Sequence, residues 1–204
     1  INDAGEVDGF ERELGDELCT RAELTCEWVT NEWDSIIPNL QSGNYDVIVA
    51  GMSITDERKK VIDFTQDYYP PTPSAFVAAS ADADCKTGVV SAQVSTIQAA
   101  HVAETGMSLL EFPTPDETVA AVRNGEALCV FADSDYLRPL VNESNGALMF
   151  VGEPVSIGGG VGMGLRQSDQ ELKGKMDAAI TSMKADGTLN TMIETYFGPE
   201  GLKY

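Results

Sequence analysis

The sequence predicts an α/β protein of two lobes, in which the chain crosses from the first lobe into the second and returns to finish on the first. Three observations carry this. Short β-branched runs such as Tyr45-Asp-Val-Ile-Val-Ala50 alternate with amphipathic helical stripes. A Pro-rich segment, Tyr68-Tyr-Pro-Pro-Thr-Pro73, and a Gly-rich one, Ser156–Gly164, bracket a middle stretch that repeats the same rhythm. The 204 residues are 43% hydrophobic, enough for one core of ordinary size or two small ones.

From the N-terminus, Phe10, Leu14 and Leu18 lie four apart and mark a helix over 9–18 with acidic faces. Cys26–Val29 reads as a short strand, with Trp28 in the core. Trp33–Leu40 reads as a short helix bent or restarted by Pro38, and Gln41-Ser-Gly-Asn44 stops it. The run 45–50 is too short and too β-branched for a helix, and its apolar character fits a parallel strand covered on both faces. After a loop at 51–57 and the Pro-rich crossing, Ser74–Ala79 is extended again. The middle then offers a strand at Thr87–Val94, helices at Thr96–Glu104 and Asp116–Asn124, and a strand at Ala127–Ala132. Ser168 and Asp169 precede a long helix carrying Leu172, Met176, Ala179, Ile180 and Met183 on one side. Asp186-Gly-Thr188 breaks it, and Leu189–Phe197 forms a last helix that packs onto the first lobe. The expected division is therefore 1–78 with 160–204 for the first lobe and 79–159 for the second.

Charge removes several function classes. Lys and Arg number 13 against 33 Asp and Glu, a net charge of −20 that repels phosphate backbones and anionic lipid headgroups. No apolar run approaches the roughly 18–20 residues that cross a bilayer. Ile1 opens directly into the polar stretch Asn2–Glu6, so an export signal is expected to have been removed already. The five glycines of Ser156–Gly164 suggest a phosphate loop, but no GK[ST] follows and no GxGxxG opens a helix. A close-packed return strand is the ordinary reading.

Cys19 and Cys26 lie seven apart, which suits a small disulfide loop worth roughly 2–3 kcal/mol and an oxidising compartment; two buried thiols are the alternative. Zinc would ask for CxxC pairs or Cys/His clusters, and the single histidine, His101, is distant and expected on the surface. Cys85 and Cys129 each stand near a strand start, where neighbouring strands can bring them together; that bridge stays open.

The loop Val49-Ala-Gly-Met-Ser-Ile-Thr-Asp-Glu-Arg-Lys-Lys60 stands at the carboxyl end of the strand 45–50, the edge where open α/β sheets bind ligands. Gly51 admits close approach, Ser53 offers a hydroxyl and an N–H, and the planar fork of Arg58 suits a carboxylate. The competing reading makes Arg58 a solvated helix-end charge or the partner of Asp56 or Glu57.

The run from Trp33 through this loop to Thr65 closely resembles the family 3 solute-binding proteins, the extracytoplasmic amino-acid-binding proteins of ABC importers. Gly125–Asp133, Gly162–Arg166 and Met183–Thr188 through Phe197 extend the resemblance nearly to the C-terminus. It implies a two-lobed, periplasmic-binding-protein-like fold of type II, each lobe a mostly parallel sheet flanked by helices, with the ligand between the lobes. The spacing of Cys19 and Cys26 also resembles that of basic-amino-acid binders in this family. By the same resemblance the ligand's α-carboxylate goes to Arg58, Ser53 and the helix start at Thr96, although Gln93–Gln98 lacks the usual glycine before the threonine. The α-ammonium goes to Asp133 and the Gly51 carbonyl, Met52 joins the ligand-contacting loop, and Trp33 lines the side-chain pocket. On spacing alone Asp133 reads as a helix N-cap, and Trp33 as an apolar cover on the lobe edge.

The expectation that follows is a monomeric, periplasmic binder of a free amino acid, basic or polar, that serves membrane permease subunits. No cofactor, metal or nucleic acid is expected, and no membrane insertion. The ligand-sensing domain of a membrane receptor and a dehydratase-like enzyme share the scaffold and stand as alternatives. The family begins with a strand and loop ahead of the segment matching Asp3–Phe10, so the first sheet is expected to carry an edge that a further strand would cover.

Overall fold

The computed structural model describes residues 6–199 and 201–204; the polar opening at 2–5 lies outside them. The chain divides into two compact units, Ile1–Pro71 with Gly159–Tyr204, and Thr72–Gly158.

The first unit opens with α1 (Phe10–Arg21), whose Phe10, Leu14 and Leu18 are all buried, as the four-residue spacing requires. Residues 22–32 are irregular where a strand was expected. Trp28 is a half-buried cover on α1 and not a core residue: its Nε1 donates to Asp16 Oδ1 at 3.0 Å, and its ring occupies the space a Cβ at Gly15 would need. The Cys19–Cys26 disulfide ties this segment back to the helix. One turn of 3-10 helix (Trp33–Ser35) leads into α2 (Ile36–Gln41). Pro38 falls in the first turn of α2, where its missing N–H costs nothing. Then come β1 (Val47–Ile48), α3 (Asp56–Lys59) and β2 (Asp63–Tyr69).

The second unit holds β3 (Ser74–Ala78), β4 (Val89–Gln93), α4 (Ile97–Glu104), β5 (Ser108–Phe112), α5 (Pro115–Arg123), β6 (Cys129–Asp133), α6 (Ser134–Glu143) and β7 (Met149–Val155). The sheet order is β5-β4-β6-β3-β7. β4 runs parallel to β5 and β6, while β3 runs antiparallel to β6 and β7. Strand β6 alternates across it: Val130 packs with Val77, Val119 and Leu137 on one face, Cys129 and Phe131 with Val90, Val102 and Val151 on the other. Both faces are thus covered. Strand β3, expected to end the first lobe, belongs to this sheet, so the chain has changed units by Thr72. The Cys85–Cys129 disulfide links the loop before β4 to the start of β6.

The chain returns to the first unit with β8 (Val161–Leu165), followed by α7 (Gln170–Asp186) and α8 (Thr188–Phe197). β8 enters between β1 and β2 and pairs antiparallel with both, so this sheet is antiparallel where a mostly parallel one was expected. The expected strand 45–50 shrinks to two residues, paired among the described residues with β8 alone. The glycine run is what lets β8 fit. A Cβ at Gly162 would meet Ile54 Cδ1 at 2.8 Å, and one at Gly160 would meet Asp67 at 2.6 Å. One core cluster joins α1, β2, β8, α7 and α8, with Met176, Ala179, Ile180 and Met183 facing in. A second joins α2, β1 and the loop after it. Gly187, at φ +80°, makes the break between α7 and α8.

Candidate functional site

Each unit carries a set of candidate residues at a strand end. In the first unit the loop after β1 is fastened to the return strand: Ile54 N donates to Gly160 O at 2.9 Å, and Ser53 bridges Val161. Gly51 sits at φ +62°, which favours glycine, and is exposed. Met52 is 1% exposed and packs among Ile36, Leu40, Ile48 and Phe64, so its side chain is core and only its backbone borders the loop.

The spacing S-x-T-x-x-R now has a mechanical meaning. Thr55 Oγ1 caps α3 by accepting from Arg58 N at 3.1 Å, and the resulting turn brings Arg58 Nη1 back to donate to Ser53 O at 2.8 Å. The guanidinium lies 5.5 Å from the Trp33 ring centroid, both side chains being half-buried. Glu57, a candidate partner for Arg58 on spacing, pairs instead with Lys60 at 2.6 Å.

Sequence reasoning missed Glu11. Its Oε1 accepts from Gly51 N at 2.5 Å and from the Tyr68 hydroxyl, so a carboxylate from α1 braces the candidate loop. Glu11 is half-buried, and burial raises its pKa while both hydrogen bonds oppose the shift. Burial and the neighbouring Glu11 also push the Tyr68 hydroxyl far up. Glu11 lies forty residues before Gly51, and nothing in its helical pattern distinguishes it from Glu13 or Glu17.

In the second unit, β4 ends at Gln93 and Thr96 is the N-cap of α4. Thr96 Oγ1 accepts from Ala99 N at 3.1 Å and donates to Gln93 O at 2.6 Å, with Ser95 between at φ +60°. The first-turn N–H groups after Thr96 have no intrahelical acceptor and carry the positive end of the helix dipole, suited to a carboxylate.

Asp133 closes β6 opposite Ser74 of β3 and occupies the N-cap position of α6, yet its side chain makes no capping bond. Its Oδ1 accepts from Gln98 Nε2 at 2.8 Å. Gln98, a second residue the sequence reading missed, reaches across from α4. His101, expected on the surface, is half-buried with its ring 5.4 Å from Phe131.

A separate open depression of about 750 Å³ in the first unit lies along β2 and α7, and none of the candidate residues lines it. Within it Lys173 pairs with Asp177 at 3.6 Å and with Asp63 at 3.9 Å, and we assign it no role.

Comparison with known proteins places these features in context. The bacterial extracellular solute-binding proteins, family 3, match over residues 1–199. The L-arginine-binding protein of Pseudomonas aeruginosa is 34% identical over 95% of this chain and 80% of its own length. The histidine-binding periplasmic protein of Escherichia coli K12 is 30% identical over 96% and 81%. Among solved structures, a periplasmic His/Glu/Gln/Arg/opine family-binding protein from Silicibacter pomeroyi in complex with lysine is 70% identical, with a TM-score of 0.98 over 100% of this chain and 93% of that one. The chain belongs to the family 3 bacterial extracellular solute-binding proteins.

Proposed function

We propose that this chain is the substrate-binding component of an ABC-type importer and that it takes a free basic amino acid, lysine foremost, in the periplasm. One observation carries the reading: Arg58 is turned back by its own helix cap onto Ser53 O, which holds its guanidinium at the loop after β1. The α-carboxylate of the ligand goes to Arg58, Ser53 and the N-terminus of α4 at Thr96; the α-ammonium goes to Asp133 and the Gly51 carbonyl. Trp33 lies along the aliphatic stem, and Glu11, bonded to the same loop, makes its surroundings favourable to a distal cation. The lysine complex of the 70% identical Silicibacter pomeroyi protein supports the choice of ligand. The net charge of −20 supports it as well, by steering cations inward.

Because the carboxylate and ammonium groups are divided between the units, a ligand favours whichever arrangement lets both units hold it, and that arrangement is the signal for the permease subunits. The protein acts as a binder, in keeping with relatives that are named as binding proteins, and does so as a monomer.

A panel of the common amino acids in a thermal-shift assay tests the assignment. Ligand at 100 times its Kd adds about 2.7 kcal/mol, which for a chain of this size is a rise of about 5–10 °C. A rise with lysine, arginine or ornithine is expected; a rise confined to acidic or small apolar amino acids overturns the ligand class. Conversion of bound lysine into a product, followed by NMR, overturns the assignment as a binder.

A further inference from the structure

We infer that Gln98 is a positioning residue for ligand binding, which fixes the Asp133 carboxylate in the orientation that receives the α-ammonium; the inference rests on the function proposed above. Gln98 is a polar side chain only 6% exposed, in the first turn of α4. Burying a carboxamide costs free energy unless its groups are bonded. Here Nε2 is spent on two acceptors from two other elements: Asp133 Oδ1 at 2.8 Å, at the end of β6, and Ser74 Oγ at 3.0 Å, at the start of β3. Ser74 is fully buried and stands opposite Asp133 in the strand register, and Ser134 N donates to Pro73 O at 3.0 Å just beside them. The three strand and helix ends are thereby joined through one amide.

The choice of an amide has a chemical consequence. A lysine or arginine at this position would also orient Asp133, but it would neutralise the carboxylate and compete with the incoming ammonium. An amide N–H makes a charge-assisted bond to the acid and brings no positive charge of its own to compete with the ligand. A helix N-cap would have done the same orienting by local means, and Asp133 occupies that position without using it. A packing role for Gln98 predicts only lost stability on substitution; a positioning role predicts lost affinity for every amino acid that carries an α-ammonium.

Gln98→Leu is compared with Ser91→Ala, which removes a fully buried hydroxyl bonded to Thr118 O at 2.8 Å in the same unit and away from the candidate residues. Lysine and arginine affinities are measured by calorimetry and ligand-free melting by circular dichroism. The expected result is that Gln98→Leu weakens lysine and arginine alike by about tenfold to a hundredfold, with their ratio unchanged, whereas Ser91→Ala lowers the melting temperature and leaves both affinities within about twofold. Should Gln98→Leu lose its cooperative melt, Gln98→Met, unbranched like glutamine, takes its place with the same expectation. The inference is overturned if the Gln98 variant binds as wild type does, if Ser91→Ala loses as much affinity, or if lysine and arginine suffer unequally. A wild-type chain that binds no amino acid overturns the functional reading and this inference together.

Discussion

Removal of the Cys85–Cys129 disulfide, by replacing both cysteines with alanine, is expected to cost far more than removal of Cys19–Cys26. The bridges close stretches of very different length, with sequence separations of 44 and 7. In the chain-entropy treatment the free energy grows with the logarithm of the closed loop, giving about 4 kcal/mol for the long one and about 2.4 kcal/mol for the short one at 25 °C. Burial widens the gap: Cys129 is fully buried and Cys85 8% exposed, so alanine there also leaves unfilled space against Val90, Val102 and Phe131. For a unit the size of Thr72–Gly158, each kcal/mol moves the melting temperature by about 4–8 °C, so the long-loop variant should melt on the order of 15–30 °C lower. Differential scanning calorimetry on both double variants, and on wild type with and without reductant, reads the effect. Equal losses from the two bridges, or a greater loss from the short one, would refute loop closure as the source of the stability.

Other perturbations address the candidate residues directly. Arg58→Ala removes the planar donor assigned above to the α-carboxylate and should cost about 3–5 kcal/mol of lysine binding, more than a hundredfold in Kd by calorimetry, with melting little changed; an affinity within tenfold of wild type would sink the carboxylate assignment. Trp33→Ala should weaken lysine by about 0.5–2 kcal/mol through the lost stack, and glycine or alanine, where they bind, hardly at all. Burial holds the Glu11 carboxyl above its ordinary 4.5, so the unfolded chain binds fewer protons than the native one between that value and the raised one, and stability falls as pH climbs through the window. Glu11→Gln lacks this proton yet keeps an acceptor for Gly51 N–H and the Tyr68 hydroxyl; it should melt above wild type at neutral pH, with the difference closing near about pH 4, and should bind lysine more weakly.

The elements legible in the sequence were those whose periodicity served a single packed face. The stripe Phe10, Leu14, Leu18 gave α1, and the face Met176, Ala179, Ile180, Met183 gave α7, because one side of each helix is buried and the other is wet. Strands β2 and β5 and helix α6 escaped notice for the opposite reason. β2 carries Asp63, Gln66 and Asp67 among its apolar residues, since α7 supplies their partners: Asp177 Oδ1 accepts from Gln66 N at 2.7 Å and Lys184 meets Asp67 at 3.1 Å. α6 holds Pro139 in its interior, a residue that normally ends a helix. The strand direction in the first sheet was illegible because it depends on where β8 returns from, which no window around residues 45–50 contains.

The candidate residues divide along the same line. Arg58 could be found because its geometry is local: Ser53, Thr55 and Arg58 build their own turn within six positions of chain. Glu11 and Gln98 act on Gly51 and Asp133 across 40 and 35 positions, so only the fold brings them together. The candidate charges also share one kind of bond, which can be set beside the ion pairs of two other arginines. Arg21 is held by Glu17 and Asp186, and Arg166 by Asp46 and Asp169; each is locked and largely neutralised by acids. Arg58, Asp133 and Glu11 each have a neutral dipole among the groups that orient them, namely a backbone carbonyl, a carboxamide, and an N–H with a phenol. A neutral dipole fixes the direction of an ionised group without adding an opposing charge of its own. Replacing any one of these dipoles by an apolar group of the same shape should therefore loosen the ligand more than it loosens the fold.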